Sequence, residues 1–108
     1  MIAGPFRHGS IEPKVWNSNL KKLNDLAYQV FKMGHIPVIG VNVALPMIEL
    51  KGWNKYDEIM MPISLALAER CDAVLRTPDE SIGADDEVKI FEEKGLPVYR
   101  SLDEIPDF

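Results

Sequence analysis

The segment SIGADDE, residues 81–87, ends in three acidic residues. In a helix, their side chains would not all point to the same side. With about 100° of rotation per residue, the apolar side chains that follow form one arc, and Glu87 falls inside it, between Ile90 and Phe91. The two aspartates fall on the opposite side, among charged residues. We therefore predict that both aspartates face solvent near a helix N-terminus and that Glu87 faces the protein interior.

An inward-facing carboxylate needs a role, because burying one without a partner costs several kcal/mol. Glu87 is either an ordinary acidic residue of the first helical turns or a functional group that borders a cleft. Ser81 and Gly83 allow two interpretations as well. They are either simple helix punctuation, with Ser81 as the N-cap, or a phosphate site made of free N–H groups and a hydroxyl.

The elements that would position these residues follow from apolar periodicity and from Gly and Pro. Strands and helices alternate in the order βαβαβαβ, and SLDE (101–104) matches a capping box for a last helical turn. The predicted strands are residues 1–3, 35–41, 72–76 and 96–100, the predicted helices are 15–33, 59–71 and 82–94, and residues 42–54 form a long loop.

This alternation predicts a single α/β domain over residues 1–108. The expected architecture is a three-layer α/β/α sandwich, flavodoxin-like or Rossmann-like, with a parallel sheet of about four to five strands. Ligands of such sheets bind at the carboxyl ends of the strands. Segments 4–9, 42–54 and 77–83 follow strands, so we expect them to share that edge.

Each loop residue at this edge allows more than one interpretation. Arg7 is a surface arginine by default, yet its position would let it pair with an anion. Asn42 supplies a hydrogen-bond donor and an acceptor, and Trp53 and Tyr56 supply flat rings, so these three could recognise a base. The rings could equally cover the core or form an oligomer contact.

Composition and charge exclude several classes of function. The net charge of −5, without a basic cluster, argues against a nucleic acid polymer or a membrane surface as partner. No apolar run reaches the roughly 20 residues that span a bilayer, and we expect a cytoplasmic protein. His8 and His35 lie far apart and Cys71 is alone, so we expect neither a metal site nor a cofactor.

Taken in order, four stretches resemble the nucleoside 2-deoxyribosyltransferase-like superfamily, especially its small bacterial and phage members and the deoxynucleoside 5'-monophosphate N-glycosidases. The resemblance covers nearly the whole chain, and its most specific part is S-x-G-x-x-x-E after a D-A-V strand. The stretches are IAGPFR (2–7), Asn24 and Ala27 ahead of GHIP (34–37), CDAVLR (71–76) and SIGADDE (81–87).

The resemblance implies a function for each matching residue. Glu87 would be the nucleophile that attacks the anomeric carbon of a deoxyribosyl group and holds the sugar as a covalent ester. Arg7, Ser81 and Gly83 would contact a 5'-phosphate. Three other residues of the first loop, Gly4, Pro5 and Phe6, would line the same substrate site. The partner would be a small nucleoside or nucleotide, and the protein would be a homo-oligomer.

One position departs from the family's pattern. Active members carry an Asp eight residues before the Asp of the third strand, and this chain has Ser64 there. Three hypotheses therefore remain: an enzyme that cleaves or transfers an N-glycosidic bond, an inactive nucleotide-binding module, and a domain that acts only through its surface. Asp57 lies upstream on the same segment, but nothing in the spacing shows that it replaces the missing carboxylate.

Overall fold

A computed structural model describes residues 1–108, and helices account for 59% of them. Three short parallel strands pair in the order β1-β2-β3, so that β2 lies in the centre. The strands are β1 (Ile2–Ala3), β2 (Val74–Arg76) and β3 (Val98–Tyr99), and the helices are α1 (Pro13–Lys32), α2 (Gly40–Lys51), α3 (Tyr56–Ala68) and α4 (Ile82–Lys94), with 3-10 turns at Trp53–Lys55 and Leu102–Glu104.

The predicted fold class is wrong. In place of a sandwich built on four to five strands, the chain is mostly helical and its sheet has three strands of two or three residues each. The predicted strand over 35–41 does not form. Gly40 and Val41 belong to α2 instead. Before them, Pro37 has no N–H to donate, and one backbone hydrogen bond joins this segment to β1, from Ile2 N to Val38 O at 2.9 Å.

The predicted loop over residues 42–54 is also wrong, because most of it is helix α2. Val41, Ala44 and Ile48 are buried and recur at three- and four-residue intervals, which is the spacing of one helical face. Pro46 lies inside this helix, as Pro62 does inside α3. The apolar spacing outweighs the expectation that proline ends a helix.

The two faces of the small sheet pack against different helices. Ile2 and Leu75 belong to a core that includes Leu23 and Val30 of α1. The alternate strand residues Ala3 and Val74 face a second core, which α3 and α4 supply. Its other buried members are Ala68, Ala84, Val88 and Phe91.

Helices α2 and α3 approach each other closely at Gly40. A Cβ atom at this position would overlap the Ser64 Oγ, and it would lie 3.0 Å from Ser64 Cβ and 3.3 Å from Met60 Cε. Ser64 is completely buried at this crossing. The contact between the helices therefore depends on a residue without a side chain.

None of the helices combines the length and the apolar character that crossing a membrane would need.

Replacing Gly40 with Ala tests this helix contact. We expect Gly40→Ala to lower the free energy of unfolding by about 1–3 kcal/mol, since the new methyl group overpacks a buried crossing. Gly83→Ala is the matched control, because its Cβ would lie 3.4 Å from Met61 Sδ, an ordinary contact. Urea unfolding of both variants provides the comparison, and equal stabilities would contradict the proposed overlap.

Candidate functional site

A cavity of about 570 Å³ opens at the carboxyl ends of the strands, and we call it the carboxyl-end cavity. Its volume lies within the range of about 300–1,000 Å³ that is typical of small-molecule sites. The segment after β1, the first turns of α3 and the N-terminus of α4 form its walls. Predicted site residues that line it are Gly4, Pro5, Phe6, Arg7, Ser81, Gly83 and Glu87.

The N-terminus of α4 has the form that the sequence predicts. Ser81 is the N-cap, and its Oγ accepts a hydrogen bond of 3.1 Å from Ala84 N. The N–H groups of Ile82 and Gly83 precede the first intrahelical bonds, so they have no partner within the helix. The end of α4 that lines the cavity therefore carries two free donors and the positive end of the helix dipole.

Arg76 holds the segment before α4 in place, a role that spacing along the chain does not indicate. The side chain is only 6% exposed, and it donates hydrogen bonds to three backbone carbonyls and to the carboxylate of Asp85, whose Oδ1 lies 3.1 Å from Nη2. Asp85, which we predicted to face solvent, therefore forms an ion pair with Arg76, although the aspartate side chain remains 64% exposed. The carbonyls belong to Thr77, Asp79 and Ser81.

Glu87 is buried, which confirms the direction predicted from the helical wheel. Desolvation by burial is the main cause that raises the pKa of its carboxyl group from 4.5 to about 7. The positive charges of the chain's amino group and of Arg76 act in the opposite direction, and Asp86 adds to the increase. The carboxyl group therefore exchanges its proton near neutral pH.

The guanidinium group of Arg7 lies between two aromatic rings. Its Cζ is 4.5 Å from the ring centroid of Tyr56 and 5.0 Å from that of Trp16. Phe6 and Trp53 complete the aromatic cluster, with the two tryptophan rings 4.6 Å apart. The side chain of Arg7 takes part in no ion pair and no hydrogen bond within the chain, so its donors are free for a ligand.

The loop that carries Arg7 is fixed to α1. Asn19 Nδ2 donates to Phe6 O at 2.7 Å, and Trp16 Nε1 donates to Ser10 O at 2.8 Å. Gly4 at the start of the loop is explained by packing, because a Cβ atom there would overlap Thr77 Oγ1 and approach Leu23 Cδ2 to 2.9 Å. The position of Arg7 is therefore set by the fold before any ligand binds.

Tyr56 is a cavity residue to which the sequence assigned only a stacking surface. Burial raises the pKa of its hydroxyl group, with the positive charge of Arg7 opposing and the negative charges of Asp57 and Glu87 adding to the increase. Asp57 and Ser64 also line the cavity, seven residues apart on one face of α3. The apolar side chains of Met60 and Met61 lie along the same wall.

Asn42 is the predicted site residue that the structure places elsewhere. It lies in the first turn of α2, and its side chain exchanges hydrogen bonds with Asn24 of α1, at 2.7 Å and 3.4 Å. It does not line the carboxyl-end cavity. The expected position followed from the loop that the sequence predicted over 42–54, and the helix replaces that loop.

Other parts of the molecule offer weaker sites. A second cavity, of about 760 Å³, lies at the opposite ends of the strands, and 12 of its 19 lining residues are hydrophobic. No group of three or more His, Cys, Asp or Glu side chains is arranged to hold a metal ion. The carboxyl-end cavity remains the one with a buried carboxyl group, a free arginine and a helix N-terminus together.

Comparisons of this chain with models of protein families, with curated proteins and with solved structures found no match. The resemblance to the nucleoside 2-deoxyribosyltransferase-like superfamily therefore stays a hypothesis. What the protein does has to be inferred from the side chains of the cavity.

Glu87 makes the stability of the protein depend on pH. Its carboxyl group binds a proton more tightly in the folded state, so its stabilising effect is complete below about pH 4.5 and is lost as the pH rises through about 7. Between pH 5 and 8 we expect this group to lower the free energy of unfolding by roughly 2–3 kcal/mol.

Urea unfolding of Glu87→Gln at pH 5 and pH 8 tests this expectation. The amide does not titrate, so the variant should lose this part of the pH dependence and gain stability over the wild type at pH 8. Glu92→Gln changes an exposed residue of the same helix and should keep the wild-type dependence. A wild-type slope in Glu87→Gln would mean that Glu87 is ionised at low pH.

Proposed function

We propose that the protein binds a nucleoside or nucleoside 5'-monophosphate in the carboxyl-end cavity, in the cytoplasm, and cleaves or transfers its N-glycosidic bond. One observation carries this proposal. The same cavity contains a buried carboxyl group, an arginine without an acidic partner and the free N–H groups of a helix N-terminus. These are a nucleophile and two kinds of anion-binding group, which a phosphorylated glycoside requires together.

The phosphate would lie at the N-terminus of α4. The N–H groups of Ile82 and Gly83 are free to donate to its oxygens, and Ser81 can donate its hydroxyl proton while the Oγ accepts from Ala84 N. Arg7 would supply a charged donor from the opposite loop. A Cβ atom on Gly83 would have no neighbour closer than 3.4 Å, so packing within the protein does not require a glycine here. Close approach of a ligand to the backbone would require one.

The chemistry would take place at Glu87. An oxygen of its carboxylate forms a bond to the anomeric carbon, while the bond from that carbon to the base nitrogen breaks and the base leaves with the electron pair and takes up a proton. Water then attacks the anomeric carbon of the ester and gives up a proton to the solvent, which releases the sugar and restores the carboxylate. A second base in place of water would give transfer.

The protonation state of Glu87 decides whether it can attack. Only the ionised carboxylate is a nucleophile, and a pKa of about 7 leaves about half of the molecules ionised at neutral pH. Asp57 lines the same cavity and would be the candidate for the carboxyl group that is absent at Ser64. Without an acid to protonate the base, the leaving step would be slow.

This leaves an inactive nucleotide-binding module as the alternative function. Ser64 and the raised pKa of Glu87 both favour it, since neither weakens a phosphate site. The two functions predict the same binding of nucleotides and differ only in whether free base is released.

Base release from a panel of deoxynucleosides and deoxynucleoside 5'-monophosphates, followed by chromatography, tests the proposal. We expect release by the wild type, with kcat/KM rising with pH through about 7 to a plateau as Glu87 ionises. Glu87→Ala should remove the activity, and Glu92→Ala should retain it. Base release by Glu87→Ala at the wild-type rate would contradict the assignment of Glu87 as the nucleophile.

The phosphate site has a separate test. Gly83→Ala should weaken the binding of nucleoside monophosphates more than tenfold, because a methyl group would lie where the phosphate approaches, yet it should scarcely change the binding of the unphosphorylated nucleosides. Isothermal titration calorimetry of both ligand classes measures this difference. An equal loss for both classes would show that Gly83 does not contact the phosphate.

A further inference from the structure

Ser64 carries a hydroxyl group that has no hydrogen-bond partner in the protein. The residue is completely buried, and its Oγ is one of two buried side-chain oxygens in the chain without a partner. Ser64 also forms part of the wall of the carboxyl-end cavity. An unpaired polar group is therefore present where a ligand would be enclosed.

The position of this hydroxyl is unusual for a serine inside a helix. Such a serine commonly donates to the carbonyl four residues earlier, which would satisfy it at no further cost. In Ser64 no such bond forms, and the Oγ occupies the space where Gly40 has no side chain. Leaving a buried hydroxyl unpaired costs about 1–3 kcal/mol, so a missing partner outside the chain is the simplest physical reason for this arrangement.

A lone water molecule would be a poor partner at this point. A buried water needs about two to four polar neighbours. The Ser64 Oγ packs against Gly40, and the methyl group of Met60 lies 3.3 Å from the Cβ position of that glycine. The neighbouring cavity wall continues with the apolar side chains of Val41 and Ile39. A polar atom that belongs to a larger ligand is held there by the rest of the molecule and needs no such set of neighbours.

We propose that the Ser64 hydroxyl is a binding group for the uncharged part of the nucleotide, where it forms a hydrogen bond with a sugar hydroxyl or with the edge of the base. This inference rests on the proposed function, and it adds a recognition residue at the position where the family's pattern has a carboxylate. The phosphate is not its partner, since a single hydroxyl among apolar neighbours cannot balance a charged group.

Thr77 provides a matched control within the same chain. Its Oγ1 is the other buried side-chain oxygen without a partner, and it lies against Gly4. Thr77 does not line the carboxyl-end cavity. Removing either hydroxyl should therefore relieve an unsatisfied group, but only the loss of the Ser64 hydroxyl should affect ligand binding.

Binding is measured by calorimetry in a Glu87→Gln background, so that no ligand is consumed. We expect Ser64→Ala to weaken the binding of a deoxynucleoside 5'-monophosphate about 2- to 12-fold, while the free protein melts no lower than its parent. Thr77→Val should leave the affinity unchanged. If Ser64 had only a structural role, its replacement would not lower the affinity while leaving the stability unchanged.

The probes separate the two sources of the partner atom. If Ser64→Ala also weakens the binding of 2-deoxyribose 5-phosphate, the partner is a sugar hydroxyl. If only the nucleotide is affected, the partner is the base. Unchanged affinity for both probes overturns the inference.

The same experiments distinguish a failure of this inference from a failure of the proposed function. Base release by the wild type together with an unaffected Ser64→Ala would leave the enzyme assignment in place and remove the role of Ser64. Weakened binding by Ser64→Ala without base release in the wild type would support the role of Ser64 in a binding module. A wild-type chain that binds neither probe would overturn both.

Discussion

The buried guanidinium group of Arg76 is the interaction on which the candidate site depends. It is fixed at the end of the central strand and holds three carbonyls of the following segment as well as the carboxylate of Asp85. These bonds determine where α4 begins, and the start of α4 determines where Ser81 and Glu87 lie. A buried charge of this kind is tolerated because each of its five N–H donors has an acceptor. The site is thus built outward from the sheet by one polar network.

Polar groups of the cavity differ from this network because they lack partners within the protein. Glu87 is desolvated enough to hold a proton near pH 7, Ser64 has no partner, and Arg7 is held between rings without an acid. The buried carboxyl group and the unpaired hydroxyl group cost stability, which proteins tolerate most often at functional positions. In contrast, the second cavity, at the opposite ends of the strands, is mostly hydrophobic in lining.

The sequence was informative where periodicity and helix punctuation agreed. Residues 82–94 have a serine cap, a clear apolar arc and a terminal glycine, and α4 has those bounds, with Glu87 buried as predicted. Residues 42–54 were predicted as a loop, although the buried positions of α2 follow a helical spacing. The extent of a sheet is harder still, since it depends on pairing between distant segments, and β-branched residues near 38 formed no strand. The partners of Arg76 and Ser64 are tertiary contacts, which spacing along the chain does not contain.

The cluster of rings around Arg7 has a spectroscopic consequence. The chain has two tryptophans, and both lie in this cluster, 4.6 Å apart, with the guanidinium group of Arg7 over Trp16. The tryptophan fluorescence of the protein therefore originates entirely beside the arginine that is proposed to meet the phosphate. An anion that draws the guanidinium group away from the indole should change the emission, and a titration that leaves the spectrum unaltered would show that Arg7 stays where it is. The molecule thus carries its own optical reporter for occupancy of the cavity.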